Sequence, residues 1–295
     1  MKSKIKVTAT GLTGLIGSRI EELLSDSFRW LPLRYEDGFD ITDGEKVDGA
    51  IGEFGGHIVF HLAAFTDLNA AWKEQGDETG MCYRINVLGT RNIVEACRKS
   101  GKYLIHVSTD AVFDGGKNQL YTEEDRRNPI DWYGQTKLWA EEEVLKSGCQ
   151  AAVVRFAYPF RADFPPKKDF VRKIIDQLKR REKVVMFTDT IFTPTFIDDI
   201  AMAMKEMILK KKSGIFHIVG STQLSPFSAA KQIAKTFGLD ESLILPQMLK
   251  DYLKNGGRPY PQFAGLSNEK LKKDLEISMK TFPEGLGEMR RQLER

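Results

Sequence analysis

The chain has 295 residues, enough for one large domain or for a main domain with a smaller companion. Its 44 Lys and Arg against 41 Asp and Glu leave a formal charge of +3, too small to predict nucleic acid or an anionic membrane as a partner. Three scattered cysteines, and no apolar stretch near the ~20 residues of a membrane span, predict a cytoplasmic protein with no metal site.

Strand-like and helix-like segments alternate through the first half of the chain. Short apolar and β-branched runs predict strands, and apolar residues at helical spacing predict helices between them. The predicted strands are 5–10, 29–33, 57–64, 103–109 and 151–156, and the clearest predicted helices are 16–24, 85–97 and 133–145. This alternation favours βαβ units and an α/β fold with a parallel sheet.

The second half is less regular. A Pro-rich, charged loop over 160–170 precedes a predicted helix, and strand-like segments follow at 183–187 and 214–220. We expect one domain over 1–156, to which segments around 193–220 return. A smaller domain over 157–295 would then carry specificity.

A glycine-rich loop, Gly11-Leu12-Thr13-Gly14-Leu15-Ile16-Gly17, joins the first strand to the first helix. Glycines permit a tight turn and let the backbone approach a pyrophosphate, while the helix N-terminus offers free N–H groups and positive potential. The position after the first strand of a βαβ unit is the one that a dinucleotide site requires. The alternative is a turn whose glycines serve only close helix–strand packing.

The end of the second strand indicates which dinucleotide. An acidic residue there suits the ribose of NAD, whereas an arginine suits the 2′-phosphate of NADP. The chain reads Leu33-Arg34-Tyr35-Glu36-Asp37, in which the basic residue comes first. We therefore favour NADP(H) and keep NAD(H) possible because of Glu36. The other interpretation of Arg34 is a solvated surface side chain.

Tyr133 and Lys137 stand four positions apart in the segment PIDWYGQTKL. Residues at this spacing share a helix face, so the pair alone does not separate a chance surface arrangement from a catalytic one. Ketone reduction needs a proton donor, and a nearby cation lowers the high pKa of a tyrosine. Thr109, at the end of a predicted strand, offers a hydroxyl that could polarise a carbonyl.

Four segments read in order, the glycine loop, HLAAFT, VSTDAVFDG and YGQTK, resemble those of an extended short-chain dehydrogenase/reductase. The resemblance is greatest to the dTDP-4-dehydrorhamnose reductases, which reduce 4-keto nucleotide sugars with NAD(P)H, and it runs from Lys4 to about Leu275. It implies a Rossmann-type doubly wound parallel sheet with a smaller C-terminal substrate-binding domain.

The resemblance also implies roles for individual residues. Tyr133 would be the general acid, Lys137 would tune it and bond the nicotinamide ribose, and Thr109 would bond the carbonyl oxygen. The implied cofactor-binding residues are Gly11, Thr13, Gly14, Leu15, Ile16, Gly17, Arg34, Asp40, Ile41, Leu62, Ala63, Ala64, Thr66, Asn86, Val107, Tyr133 and Lys137. The implied substrate-binding residues are Thr109, Asp110, Tyr158 and Arg258.

The chain departs from the family pattern mostly on the substrate side. Ala111 replaces the tyrosine of the family's S-T-D-Y-V-F segment, and Tyr158 stands where a tryptophan is expected. The family's T-x-V-D-x-A-E segment also loses both acidic residues here, since Asn69 and Trp72 stand at those two positions. The resemblance therefore leaves the identity of the sugar open.

Two other functions remain compatible with these residues. One is a nucleotide-sugar epimerase or dehydratase that retains NAD, and the other is a non-catalytic NADP-binding subunit resembling the β subunit of methionine adenosyltransferase. A homodimer is compatible with either. His61 and His106 lie inside apolar strand-like runs, which favours satisfied core histidines over catalytic or metal-binding ones.

Overall fold

The protein is described here by a computed structural model covering residues 4–294. The chain divides into two compact units. Unit 1 comprises the residues up to Val112, Arg127–Arg155 and Ala201–Phe216. Unit 2 comprises Phe113–Arg126, Phe156–Ile200 and the residues from His217 onward.

The first half of the chain alternates strands and helices. In chain order they are β1 (Ile5–Thr10), α1 (Gly17–Leu24), β2 (Phe28–Leu33), α2 (Gly44–Glu53), β3 (Ile58–His61), α3 (Leu68–Lys73), α4 (Met81–Tyr83), α5 (Thr90–Ser100), β4 (Tyr103–Thr109), α6 (Trp132–Lys146) and β5 (Ala151–Phe156). A π-helical segment, Arg84–Gly89, joins α4 to α5, so the predicted helix over 85–97 begins with widened turns.

The second half contains shorter strands. Its elements are β6 (Pro159–Phe160), α7 (Phe170–Lys179), β7 (Val184–Phe187), β8 (Thr195–Phe196), α8 (Ile197–Lys210), β9 (Gly214–His217), α9 (Pro226–Phe237), β10 (Ile244–Gln247), α10 (Leu249–Lys254), α11 (Glu269–Leu275) and α12 (Phe282–Leu293). Two-stranded parallel pairs form between β7 and β10 and between β6 and β8.

A six-stranded parallel sheet, in the order β2-β1-β3-β4-β5-β9, forms the centre of unit 1 and confirms the predicted α/β fold. The chain crosses from β1 to β2 on one side and then to β3 on the other. In such a sheet, ligands bind outside the carboxyl ends of the strands where the order reverses. That place lies at the ends of β1 and β3, which pair up to Thr10 and His61.

Burial explains the strand sequences. Every residue of β3 is buried, as expected for a central parallel strand covered on both faces, and β4 is buried except at Val107. β2 lies at the sheet edge, where Pro32 pairs with Ala9 and its missing N–H removes no bond from a central ladder. The proline that made this strand imperfect in the sequence is therefore compatible with its position.

Each unit has its own apolar core. In unit 1, β3, β4 and β5 pack Val59, Leu104 and Val153 against α2 and α5. In unit 2, Phe160, Phe196 and Phe282 pack together, and the Phe160 ring lies edge-on to that of Phe282. Within residues 4–294, no helix is long and apolar enough to cross a membrane.

Candidate functional site

The glycine loop turns tightly at the carboxyl end of β1. Gly11 has a φ of 73°, and a Cβ at this position would meet the Ala63 nitrogen at 2.6 Å. A Cβ on Gly17 would meet the Gly11 oxygen at 2.4 Å and the Leu12 Cα at 2.7 Å. At Gly14, by contrast, a Cβ would meet the Gly11 oxygen at 3.3 Å, with no second close atom among the described residues. Packing therefore restricts Gly11 and Gly17 severely and Gly14 less, because its one tight contact is with a single backbone oxygen.

The helix that follows this loop begins without a side-chain cap. Ile16 occupies the N-cap position of α1 and makes no side-chain hydrogen bond to the first turn. The backbone N–H groups at a helix start need partners, and phosphate oxygens can supply them. A glycine-rich turn that leads directly into a helix N-terminus is the arrangement that fits the pyrophosphate of a dinucleotide.

Beyond β2, Arg34 lies among acidic residues. Among residues 4–294, its guanidinium makes two ion pairs, both long, at 3.8 Å to Glu21 and 3.9 Å to Asp37, and its side chain is 37% exposed. The Thr13 hydroxyl of the glycine loop donates to the Glu36 carboxylate at 3.2 Å. The loop and the end of β2 therefore meet, with a weakly held arginine beside them.

The segment at Asp40 closes on itself. The Asp40 carboxylate accepts from the backbone N–H and the hydroxyl of Thr42, both at 2.8 Å, and the backbone bond is the main reason that its pKa is lowered. The Asn92 amide donates to the Ile41 carbonyl at 2.9 Å, which ties this segment to α5. Both Asp40 and Ile41 were predicted to contact the cofactor, and that role stays a prediction.

Thr109 ends β4, and Tyr133 lies in the first turn of α6. Asp131 caps this helix by accepting from the Gly134 N–H at 2.8 Å. A Cβ on Gly134 would meet the Ala111 oxygen at 2.2 Å, so only glycine lets the first turn lie this close to the end of β4. The structure thereby places Tyr133, in the first turn of α6, beside Thr109 at the end of β4.

Thr109 is buried, whereas Tyr133 and Asp110 are half-buried. Removal from water raises the pKa of Tyr133, and the neighbouring Thr109 hydroxyl acts in the opposite direction. The Thr109 hydroxyl donates to the Asp110 carboxylate at 2.9 Å. Burial raises the pKa of Asp110 to about 6, against the lowering effect of that bond. Tyr133 is therefore protonated at neutral pH and able to donate.

Lys137 lies one turn further along α6 and is buried. Its ammonium donates to the Val107 carbonyl at 2.7 Å and lies 3.3 Å from Nε2 of His106. Burial lowers the pKa of Lys137 to about 8, with the Glu141 carboxylate acting in the opposite direction. The structure thus brings the predicted residues Thr109, Tyr133, Lys137 and Val107 together.

Asn86 lies in the π-helical segment and bridges two parts of unit 1. Its side-chain oxygen accepts from the Phe65 N–H at 2.8 Å, and its amide donates to the Thr136 hydroxyl at 3.0 Å. A π-bulge is frequent at functional sites because it redirects a side chain out of the regular helical row. Here it directs Asn86 between α6 and the loop after β3.

A buried ion pair between Glu141 and Arg155, next to Ser108 of β4, was not predicted from the sequence. The Glu141 carboxylate accepts from Arg155 at 2.8 Å and 2.7 Å and from the Ser108 hydroxyl at 2.6 Å, and Arg127 lies 3.2 Å away. An arginine inside the otherwise apolar strand AAVVRF was the signal, since a buried charge needs a partner. The pair joins β4, β5 and α6.

The two remaining substrate-side residues lie in unit 2. Tyr158 has a φ of 42°, its hydroxyl lies 2.8 Å from that of Tyr260, and its ring lies against Phe192. Arg258 is part-buried and is followed by Pro259, whose carbonyl lies 3.5 Å from its guanidinium. A non-glycine residue at positive φ is uncommon and often marks a functional site. Their contact with substrate stays a prediction.

Comparisons with known proteins place these residues in context. The model of a family described as "RmlD substrate binding domain" matches residues 5–295. The "probable low-salt glycan biosynthesis reductase Agl14" of Haloferax volcanii is 28% identical over 289 residues, which is 94% of each protein. "Methionine adenosyltransferase 2 subunit beta" of Rattus norvegicus is 29% identical over 267 residues, 82% of this chain and 75% of that one.

A solved structure is similar over the same length. The dTDP-4-dehydrorhamnose reductase of Bacillus anthracis in complex with NADP has a TM-score of 0.89 and 26% sequence identity. The match covers 98% of this chain and 100% of that one. Similarity therefore extends through both units.

Proposed function

Because this chain belongs to the RmlD substrate binding domain family, within the extended short-chain dehydrogenase/reductase superfamily, we propose that it is an NADPH-dependent reductase of a 4-keto nucleotide-diphospho-sugar. The observation that carries the proposal is the placement of Tyr133 beside Thr109, with Lys137 one helical turn further along α6. NADP(H) is the proposed cofactor, NAD(H) remains possible, and the proposed location is the cytoplasm.

When bound, NADPH would supply a hydride to the carbonyl carbon. Tyr133 donates its proton to the oxygen that becomes a hydroxyl, and Thr109 holds that oxygen by a hydrogen bond. Transfer of this proton converts the side chain of Tyr133 to a phenolate, which the positive charge of Lys137 stabilises. This assistance matters because burial raises the pKa of Tyr133 and would otherwise make proton release unfavourable.

The direct test is an assay of the purified protein with NADPH and dTDP-4-dehydrorhamnose. We expect NADPH to be consumed in a one-to-one ratio with the reduced sugar nucleotide. The protein should also be denatured and its supernatant examined for nicotinamide cofactor. Stoichiometric release of NAD, without net NADPH consumption, would contradict the reductase and support an epimerase or dehydratase.

A second candidate function is a non-catalytic NADP-binding subunit. It is favoured by the 29% identity to the rat methionine adenosyltransferase subunit, together with Ala111 where the reductase pattern has a tyrosine. NADPH binding without turnover of any 4-keto nucleotide sugar would support it. The Thr109–Tyr133 contact speaks for the reductase, because a binding subunit has no need of a proton donor.

Gly17 and Gly14 of the loop should respond differently to substitution by alanine. Gly17→Ala places a methyl group against the Gly11 backbone, and we expect a loss of about 1–3 kcal/mol in the free energy of unfolding. Gly14→Ala makes one tight contact, 3.3 Å to the Gly11 oxygen, so we expect a smaller loss of stability than in Gly17→Ala, together with a reduced stabilisation by NADPH. Thermal melts with and without NADPH measure both effects. An unchanged NADPH shift in Gly14→Ala would argue against a pyrophosphate there.

Arg34 should decide between the two nicotinamide cofactors. Arg34→Ala removes a charge-assisted bond to the 2′-phosphate, so we expect KM for NADPH to rise by about 10-fold or more. KM for NADH should stay the same, since NADH has no phosphate to lose. Arg98→Ala, which removes an exposed arginine paired with Glu95 on α5, is the matched control. Equal changes for both cofactors would mean that Arg34 does not read the phosphate.

A further inference from the structure

Two buried histidines lie directly behind Lys137. His61 on β3 and His106 on β4 are register partners in adjacent parallel strands, and their ring centroids are 5.3 Å apart. Both side chains are 0% exposed. Neither takes part in the mechanism proposed above, and the two differ in how their ring nitrogens are satisfied.

His61 is fully bonded. Its Nδ1 lies 2.7 Å from the Thr10 hydroxyl, and its Nε2 lies 3.1 Å from the Thr90 hydroxyl. Thr10 already accepts from the Ala63 N–H, so its own proton is available for Nδ1. With the Thr10 hydroxyl as the donor to Nδ1, we expect the proton of His61 to reside on Nε2 and to be donated to Thr90. This residue matches the prediction of a satisfied core histidine.

His106 has a different arrangement. Its Nε2 lies 3.3 Å from the Lys137 ammonium, and its buried Nδ1 has no hydrogen-bond partner among residues 4–294. An ammonium has only protons to give, so Nε2 must accept and the ring proton must reside on Nδ1. A buried N–H without a partner ordinarily lowers stability, so this tautomer exists because of the contact with Lys137.

The two acceptors around Lys137 divide its protons. One N–H points to the Val107 carbonyl and one to His106, which leaves the third without a hydrogen-bond partner among the described residues. A flexible ammonium with three rotatable donors is otherwise poorly oriented. The pair of acceptors therefore fixes the direction of the third N–H.

We propose that His106 is a positioning residue, a neutral imidazole with its proton on Nδ1 that accepts from Lys137 and orients the ammonium for its role beside Tyr133. The proposal rests on the proposed function through that role of Lys137. Burial and the Lys137 charge both lower the pKa of His106 far below its usual value, so the ring stays an acceptor at neutral pH.

The first experiment needs neither substrate nor cofactor. The chain has four histidines, so ¹⁵N NMR of labelled imidazoles, assigned with single His→Gln variants, resolves each tautomer. We expect His106 as the Nδ1–H tautomer and His61 as the Nε2–H tautomer, both neutral from about pH 5 to about pH 8. In Lys137→Met, His106 should lose its tautomer preference. An Nε2–H tautomer of His106 in the wild type would overturn the proposal whether or not the protein is a reductase.

The second experiment follows activity against pH in His106→Leu and His106→Gln. The titratable groups that act on Lys137 are His61, His106, Cys82 and Glu141. Leucine removes the acceptor and disfavours the ammonium, so the alkaline fall of kcat/KM should move to lower pH. Glutamine offers an amide oxygen near the position of the imidazole Nε2 and should bring the alkaline fall back toward its wild-type pH.

The two variants separate positioning from packing. A merely structural histidine would lower the melting temperature in both variants without moving the pH limb. An alkaline limb that is the same in the wild type and His106→Leu would contradict the proposal. If the leucine variant does not fold, the glutamine variant and the NMR tautomer still decide. Absence of activity in the wild type would count against the proposed function and leave the NMR result to judge His106.

Discussion

Tyr133→Phe should lower kcat with NADPH and a 4-keto nucleotide sugar by about 10²- to 10⁴-fold, the range typical of a lost general acid. The change removes one oxygen and retains the ring, so packing is preserved. The hydroxyl that it removes is the one that contacts Thr109. Without it, water must protonate the developing alkoxide, at a much higher barrier.

The matched control is Tyr83→Phe. Tyr83 is also half-buried in unit 1, where its ring lies edge-on to Trp139, and it has no place in the proposed mechanism. We expect kcat within about 2-fold of the wild type for this control and an unchanged NADPH-induced thermal shift for Tyr133→Phe. Full turnover in Tyr133→Phe would show that the tyrosine is not the proton donor. Loss of the NADPH-induced shift would mean that the lower activity of this variant results from weaker cofactor binding.

The sheet was predictable because its strands are buried on both faces. The predicted bounds of β1, β4 and β5 agree with the structure, since continuous β-branched and apolar runs of this length have few other ways to bury themselves. The helix predicted over 133–145 begins one residue earlier, at Trp132, because the cap is Asp131. The glycine loop was predictable for a similar reason, as its spacing is tied to a strand–helix turn.

The contacts around Lys137 could not be predicted from the sequence. His106 and Lys137 are 31 positions apart in the chain, and it is the packing of α6 against β4 that brings the ammonium to the imidazole. An apolar run such as YLIHVST favours a buried histidine, yet it contains nothing about which ring nitrogen is bonded. The π-helical turn at Asn86 has no compositional signal either, because its sequence is compatible with an ordinary helix.

The ion pair of Glu141 with Arg155 was likewise not predicted from the sequence, and its removal should have a large effect on stability. The carboxylate is 0% exposed and is held by Arg155, which is also 0% exposed. Burial alone would raise the pKa of Glu141, but the bonds and charge of Arg155, with Ser108 and Arg127, outweigh it and lower the pKa. A group with a lowered native pKa stabilises the fold above its unfolded pKa, and that contribution is lost as the pH falls through the native value.

Glu141→Gln should therefore lower the free energy of unfolding at neutral pH by about 3–5 kcal/mol, because it leaves a buried guanidinium without a counter-charge. Glu142→Gln is the matched control, since the adjacent carboxylate makes a surface ion pair with Lys146 and should contribute less than about 1 kcal/mol. Urea unfolding at neutral pH, followed by circular dichroism, measures both.

A double variant distinguishes charge from packing. Glu141→Leu with Arg155→Leu removes both charges, and we expect it to recover much of the stability lost in Glu141→Gln, as replaced buried ion pairs often do. The Ser108 hydroxyl, which donates to Glu141 at 2.6 Å, then loses its partner next to Thr109. We therefore expect the double variant to fold yet to turn over more slowly than the wild type. Equal stability of Glu141→Gln and the wild type would mean that the ion pair does not hold β4, β5 and α6 together.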